Sequence, residues 1–259
     1  MRAVYWAAFR KYRHLLEELV ARDIKLKFRR SVLGMLWSVL NPLLMMLVIT
    51  AVFQNLFRFD IENFPVYYLT GSLLFNFVTE ATSGAMHAVV SSGPLIRKVY
   101  IPKYIFPLEK CLFAFVNMLF SAAATAVMIA VLRVPLGPQA LLFWLPFVYA
   151  LLFSIGLGMI LATLQVFFRD TAHLYGVFVT AWLYLTPVIY PVEILPGWML
   201  PVVRCNPLYY FVDFFRQVVL YRSLPGLETS LICPLFALAA LALGVLVFKK
   251  KQDRFILFI

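Results

Sequence analysis

Glu80 is the one carboxyl group set deep within an apolar stretch of this chain. Exposure of a charge to lipid is costly, so an ionisable group in such a place is a functional candidate, as a proton relay or a gate. A relay needs a second acid or a lysine at helical spacing, and Glu80 has neither. A structural hydrogen bond to a facing helix is therefore the expectation. Other reactive chemistry is poorly supplied. The three histidines, His14, His87 and His173, each fall beside the end of an apolar segment. The cysteines, Cys111, Cys205 and Cys233, show no CxxC spacing, and no HExxH or GxSxG occurs. Nothing in the spacing of Cys205 and Cys233 demands a disulfide. There is no GxxxxGK[ST] loop to cradle a nucleotide phosphate. No catalytic residue, no metal site and no cofactor within this chain are expected.

The elements that would carry these residues are apolar helices. Hydrophobic residues make up 63% of the 259 and charged residues 14%, with a mean hydropathy of +0.89. A soluble domain carries about 25% charged residues. From Ser31 to Phe57 there is no formal charge, while Arg22, Lys25, Lys27, Arg29 and Arg30 stand directly before that run. At about 1.5 Å per residue the run exceeds a hydrocarbon core of about 30 Å, and a basic cluster at its start marks the cytoplasmic end of a span. Five more spans are expected at about 64–90, 105–132, 141–168, 174–190 and 230–248. The fold class expected is thus an all-α membrane protein with six transmembrane helices. It forms a single domain over 1–259, with spans across 32–248 and a cytoplasmic tail at 249–259. Nothing before Ser31 resembles a cleavable leader.

Charge placement orients the spans. Seventeen Lys/Arg fall on the side of the termini and five on the other, which predicts both termini in the cytoplasm. The net charge of +11 then serves membrane lipids with anionic headgroups, and no nucleic acid partner is expected. Residues 1–30 read as an amphipathic helix in the interface plane. Leu15 and Leu19 continue an apolar row beside Leu16, Val20 and Ile24, with Trp6, Phe9 and Tyr12 as anchors. Arg29 and Arg30, at the mouth of the first span, suit the headgroup of a lipid carrier. Between spans five and six, residues 191–229 contain two apolar pieces broken by Pro, Gly or charge, each too short to span. They read as short re-entrant helices. Ser154, Gly158 and Ala162, with Gly156 between, permit close helix approach.

Aromatic residues are 17% of the chain, and many gather toward the outer half. They form either an interfacial belt or a conduit lined with rings, on which the C–H faces of sugars could slide. Trp37, Tyr67, Trp182 and Tyr184 are the candidates for such a lining. The hairpin between spans two and three, with Arg97, Lys98, Tyr100 and Pro102, is short, basic and closed by proline. A membrane protein lacking its own nucleotide site would present such a hairpin to a soluble motor.

Four local patterns give the chain a resemblance. They are RDIKLKFRRSVLGMLWSVLNPLL at 22–44, LIRKVYIPKYIFP at 95–107, VFFRD at 166–170, and TPVIYP at 186–191 followed by CNPL at 205–208. With the six spans they resemble the membrane subunit of ABC transporters that export O-antigen, capsular polysaccharide or teichoic acid. The resemblance implies a lipid-linked glycan as substrate. It implies a second copy of the chain and two copies of a separate ATPase, which binds the ATP and Mg. It also implies that residues 95–107 couple to that ATPase. A permease for a drug or small lipid and a stand-alone ion-coupled transporter are the alternatives. The latter would need paired intramembrane acids and an internal repeat.

Overall fold

The computed structural model describes residues 2–29, 33–56 and 61–259, the side chains of 2–11 and 54–56 excepted. Arg30, Arg58 and the side chains of Trp6 and Phe9 lie outside the described residues. The chain is helical throughout, with no strand among the described residues. In order come α1 (Arg2–Phe28), α2 (Trp37–Leu56), α3 (Phe64–Ser91), α4 (Gly93–Lys98), α5 (Ile105–Val131), α6 (Trp144–Phe167), α7 (Thr171–Leu185), α8 (Leu200–Arg204), α9 (Pro207–Val219) and α10 (Leu227–Lys251). Four helical stretches, Gly34–Phe53, Ile105–Val131, Pro138–Phe167 and Leu227–Leu257, are long and apolar enough to cross a membrane. The protein is a multi-pass membrane protein.

The helix ends follow local chemistry. Ser92 and Pro94 bring α3 to a close and start α4. α7 stops at Leu185, short of the apolar run, because Thr186 precedes a proline and takes an extended backbone with ψ 124°. Its 15 residues would rise only about 22 Å. Asn206 caps α9 by accepting a hydrogen bond from the Leu208 amide at 3.0 Å, with Pro207 in the first turn.

α3 lies at the centre. It is more polar than α2, α5 and α6, carrying Asn76, Thr79, Glu80, Thr82 and Ser83, and it is heavily enclosed, packed by α5, α6, α9, α2 and α7. Its apolar residues join one core with Phe147, Phe153, Phe211, Phe215 and Trp182. Thr82 meets the hydroxyl of Tyr175 on α7 at 2.5 Å and donates to the Val78 carbonyl at 2.6 Å, so its hydroxyl is satisfied while fully buried. A helix with such a sequence is stable in an apolar setting only when its neighbours supply partners of this kind.

Small residues set the two tightest crossings. A methyl group on Gly158 would approach the Ala85 methyl at 2.7 Å. On the adjacent face of α6, Gly156 lies against the backbone of Ala240, and Gly244 lies against the backbone of Gly156. The row Ser154, Gly158, Ala162 thus faces α3, and Gly156 meets α10. Cys111 and Cys233 are buried, Cys205 is exposed, and all three are free thiols.

Replacing Gly156 with Val puts branched carbon where the α10 backbone stands. Thermal melts in detergent should show a loss of about 1–3 kcal/mol or more. Gly197→Ala, where a methyl meets no atom within 4 Å, should melt as the parent. Equal melting of all three proteins would mean that α6 and α10 do not cross at these glycines.

Candidate functional site

A cavity of about 970 Å³ opens between α2, α3, α5 and the outer part of α7. Its lining changes character along its length. Lys27, Phe28 and Trp37 stand at one end, and Tyr68, Val188 and Ile189 at the other. Between them lie the amides and hydroxyls of Asn41, Asn76, Ser83, Asn117 and Ser121, around Glu80.

Glu80 is held from two sides. The Asn117 amide on α5 donates to its Oε2 at 2.8 Å, and the Lys27 ammonium on α1 donates to its Oε1 at 3.1 Å. Ser38 on α2 donates to Asn117 Oδ1 at 3.3 Å. The expected hydrogen bond to a facing helix is present, with a cation added to it. Lys27 also lies 5.4 Å from the centre of the Phe113 ring. Sequence reasoning counted Lys27 only as one of the cations that orient the first span. Residues 27, 38, 80 and 117 share no spacing, so only the packing of four helices brings them together.

α1 is seated on α5 by apolar and ionic contacts together. Leu16 and Leu19 are buried with Ile105, flanked by Tyr104 and Leu108. One turn on, Lys110 is paired with Asp23 and lies 3.4 Å from Glu109. Burial pushes the Asp23 carboxyl up, but hydrogen bonds from Lys110 and Arg22 outweigh it and hold the group below the usual carboxylate range. The pair Glu109–Lys110 anchors α1 rather than any ligand. Arg29 is exposed beside a shallow surface depression shared with Arg22 and Lys25.

The four aromatic candidates separate in space. Trp37 is 47% exposed and lines the cavity, and Tyr184 is 67% exposed on α7. Tyr67 and Trp182 are buried with their polar atoms engaged. Tyr67 donates its hydroxyl to the Tyr190 carbonyl at 2.8 Å, and Trp182 donates its indole N–H to Asn206 Oδ1 at 2.8 Å. Trp182 packs edge-on against Phe75 and close to Phe178.

These two residues belong to a clamp on the segment 186–190, whose Val188 and Ile189 close the outer end of the cavity. Asn206 ties the segment's start by donating to Thr186 Oγ1 at 2.8 Å and to the Leu185 carbonyl at 3.3 Å. Arg216 of α9 ties its middle. This guanidinium is 5% exposed and donates to the carbonyls of Pro187 at 2.7 Å, Val188 at 3.0 Å and Tyr67 at 3.1 Å. It lies 3.4 Å over the Tyr67 ring. Gly71 makes room, since a methyl there would meet Arg216 Nη2 at 2.8 Å. The planar fork of an arginine can reach several carbonyls that a lysine cannot. In the sequence Arg216 reads as an external cation. The structure removes it from solvent, and only the motif at 205–208 hinted that this region is ordered.

At the opposite end, α4 carries Arg97 and Lys98, both exposed, followed by Tyr100, which is 91% exposed, and the half-buried Pro102. The C-terminal segment folds back beneath them. Arg97 donates to the Ile259 carbonyl, Lys103 to the Gln252 carbonyl at 2.9 Å, and Arg169 to the Phe258 carbonyl at 3.0 Å. Phe255 is fully buried among Phe167, Phe248 and the inner core. The hairpin and the turn at 167–170 are thus braced by one short piece of chain.

Arg216→Met keeps most of the volume but leaves three carbonyls without their donor. Melting should drop by the equivalent of about 3 kcal/mol. A cysteine placed at Ile189 should also react faster with a water-soluble maleimide in that background. Unchanged labelling would show that the segment is held without the arginine.

The geometry is that of a helical membrane bundle with a polar cavity, a segment pinned across one end of it and a braced hairpin at the opposite end of the bundle. A family model for the ABC-2 type transporter matches residues 14–220. An O-antigen export system permease protein, RfbA, of Myxococcus xanthus is 29% identical over 256 residues, covering 95% of each chain. A protein of the same name from Klebsiella pneumoniae is 25% identical over 244 residues, covering 93% of each. The capsule polysaccharide export inner-membrane protein CtrC of Neisseria meningitidis is 22% identical over 234 residues, covering 85% of this chain and 86% of its own. The match covers most of the bundle, from within α1 to the end of α9, and this chain is a member of the ABC-2 type transporter family.

Proposed function

We propose that this chain is the membrane-spanning subunit of an ATP-driven exporter that carries a lipid-linked polysaccharide out of the cytoplasm across the inner membrane. The substrate would be of the O-antigen, capsule or teichoic acid type. The observation that carries this reading is end-to-end similarity to permeases named for O-antigen and capsule export. A polar and aromatic cavity among apolar helices supports it, since a hydrated polymer needs such a surface. ATP and Mg would be bound by a separate ATPase, two copies acting with two copies of this chain. The exposed apolar faces of α2, at Leu44, Leu47 and Val48, and of α7, at Leu174, Val177 and Phe178, suit lipid or a second copy.

In this reading α2, α3, α5, α6, α7 and α10 are the six spans, with both termini in the cytoplasm. α3 crosses despite its polarity because its polar groups face protein and cavity. α8 and α9 are re-entrant, entering the outer leaflet, which suits the strongly one-sided α9. Coupling runs through α4 and its exit, with Arg97, Lys98, Tyr100 and Pro102 against the ATPase. The bracing by Phe255 and Ile259 supports this, because a pushed hairpin must transmit force without bending away.

Replacing both Arg97 and Lys98 with Glu should leave insertion intact and lose export while the co-purified ATPase still turns over. Retained export at parental levels would remove this hairpin from the coupling path.

For the substrate path, Trp37 and Tyr184 are the exposed aromatics, with Tyr67 and Trp182 shaping the wall behind them. Arg29 and Arg30 receive the carrier headgroup. Cell-surface glycan assays with melts should separate these roles. Trp37→Ala, Tyr184→Ala and a joint Arg29→Gln, Arg30→Gln change should lower export at near-parental melting and abundance. Tyr67→Ala and Trp182→Ala should cost about 3–5 kcal/mol of stability, with export falling in step. If the first group lost only stability, the aromatics would be a belt.

A further inference from the structure

The middle of the cavity is over-supplied with polar groups for a surface that only has to pack. Asn41 and Asn76 are exposed to it, Ser83 is half-exposed, and none of the three side chains is engaged by another described residue. Pro42, with no N–H, withholds the usual helical donor from the Ser38 carbonyl on the same wall. Glu80 holds one bond on each oxygen, from Lys27 and from Asn117. A carboxylate has about four lone-pair sites, so roughly two remain for further donors. A primary amide offers two donors and an acceptor.

We infer that Glu80, with Asn41 and Asn76, forms a binding subsite for the hydroxyls of a neutral sugar, namely the one nearest the lipid phosphate. The inference rests on the reading of this chain as a lipid-linked glycan permease and names what that cavity grips. An acyl chain in this place would leave the two amides unpaired and the remaining lone pairs of the carboxylate unused, a penalty away from water. Vicinal hydroxyls both donate and accept, so they match acceptor-only Glu80 and the two amides together. A sugar ring also has an apolar C–H face, and Trp37 supplies a ring on the same cavity. The cavity volume of about 970 Å³ lies in the range of small-molecule sites, about 300–1,000 Å³. Lys27 sets the location. It reaches Glu80 from the end of α1, where the exposed Arg29 stands two residues on. A phosphate held by the α1 cations therefore puts its first sugar beside Glu80. Because Lys27 and Asn117 already fix the carboxylate, the acceptor is preset and little ordering is left for binding to supply.

The test uses the permease co-purified with its ATPase in nanodiscs. Two probes are titrated against ATP hydrolysis: a polyprenyl diphosphate bearing a short neutral oligosaccharide, and the same lipid without sugar. The double variant Asn41→Ala, Asn76→Ala breaks no internal bond and should fold. Glu80→Gln keeps the shape of the acid. In both, the half-stimulating concentration of the glycosylated lipid should rise about tenfold, the loss of one or two hydrogen bonds. The response to the bare lipid should stay at the parental value. An equal rise for both lipids would overturn the inference and leave Glu80 as a tether for α1. No rise for either would remove sugar from this wall while the export reading stood. A parental complex that ignored both probes would instead bring down the export reading, and the subsite with it.

Discussion

A polar group buried among apolar helices, away from any water-lined cavity, needs another protein group as its partner. That constraint organises this protein. Arg216 is the extreme case, a cation that no carboxylate among the described residues touches, resting on three carbonyls and an aromatic ring. Two of these carbonyls, those of Pro187 and Val188, are free because α7 ends at a proline and exposes its backbone. The broken helix and the buried arginine therefore require one another. The Tyr67 hydroxyl, the Trp182 indole and the Asn206 amide complete the same arrangement.

The same demand explains why α3, with its polar residues, sits in the middle. α3 can carry Thr82 and Glu80 because α7 offers Tyr175, α5 offers Asn117 and α1 offers Lys27. Around it the outer helices need not be polar, and they face outward with bare leucine and valine. Close crossings at Gly156, Gly158 and Gly244 bind α3, α6 and α10 into one unit. α2 and α7 touch that unit less, and the cavity lies where they meet it. A rigid half and a looser half, with a polar cleft between, is a sound basis for a transporter.

The end of the bundle that carries α4 has its own economy of parts. One short C-terminal piece, ending near Ile259, meets α4, the turn at 167–170 and the inner ends of α3 and α6 at once. Phe255 provides the apolar centre of that contact, and backbone carbonyls take the surrounding cations. Ile96 of α4 thereby shares one apolar cluster with Met159 and Ala162 of α6 and Phe248 of α10.

Much of this was legible in the amino-acid order. Apolar runs and turn residues located the helices to within a few residues, because helix length in an apolar medium and the chemistry of Pro and Ser are local effects. The small residues of α6 announced a close crossing for the same local reason. A lone acid at position 80 announced a partner, though not which one. What only the tertiary structure decided was every pairing across helices. Lys27 with Glu80, Arg216 with the 186–190 carbonyls, and the sorting of Trp37 and Tyr184 from Tyr67 and Trp182 all depend on how each helix is rotated about its axis. Periodicity in a chain that is 63% hydrophobic says little about rotation, since nearly every face is apolar enough for either lipid or core. Rotation is settled by the few polar groups that must find each other, and their partners lie 24 to 149 residues away.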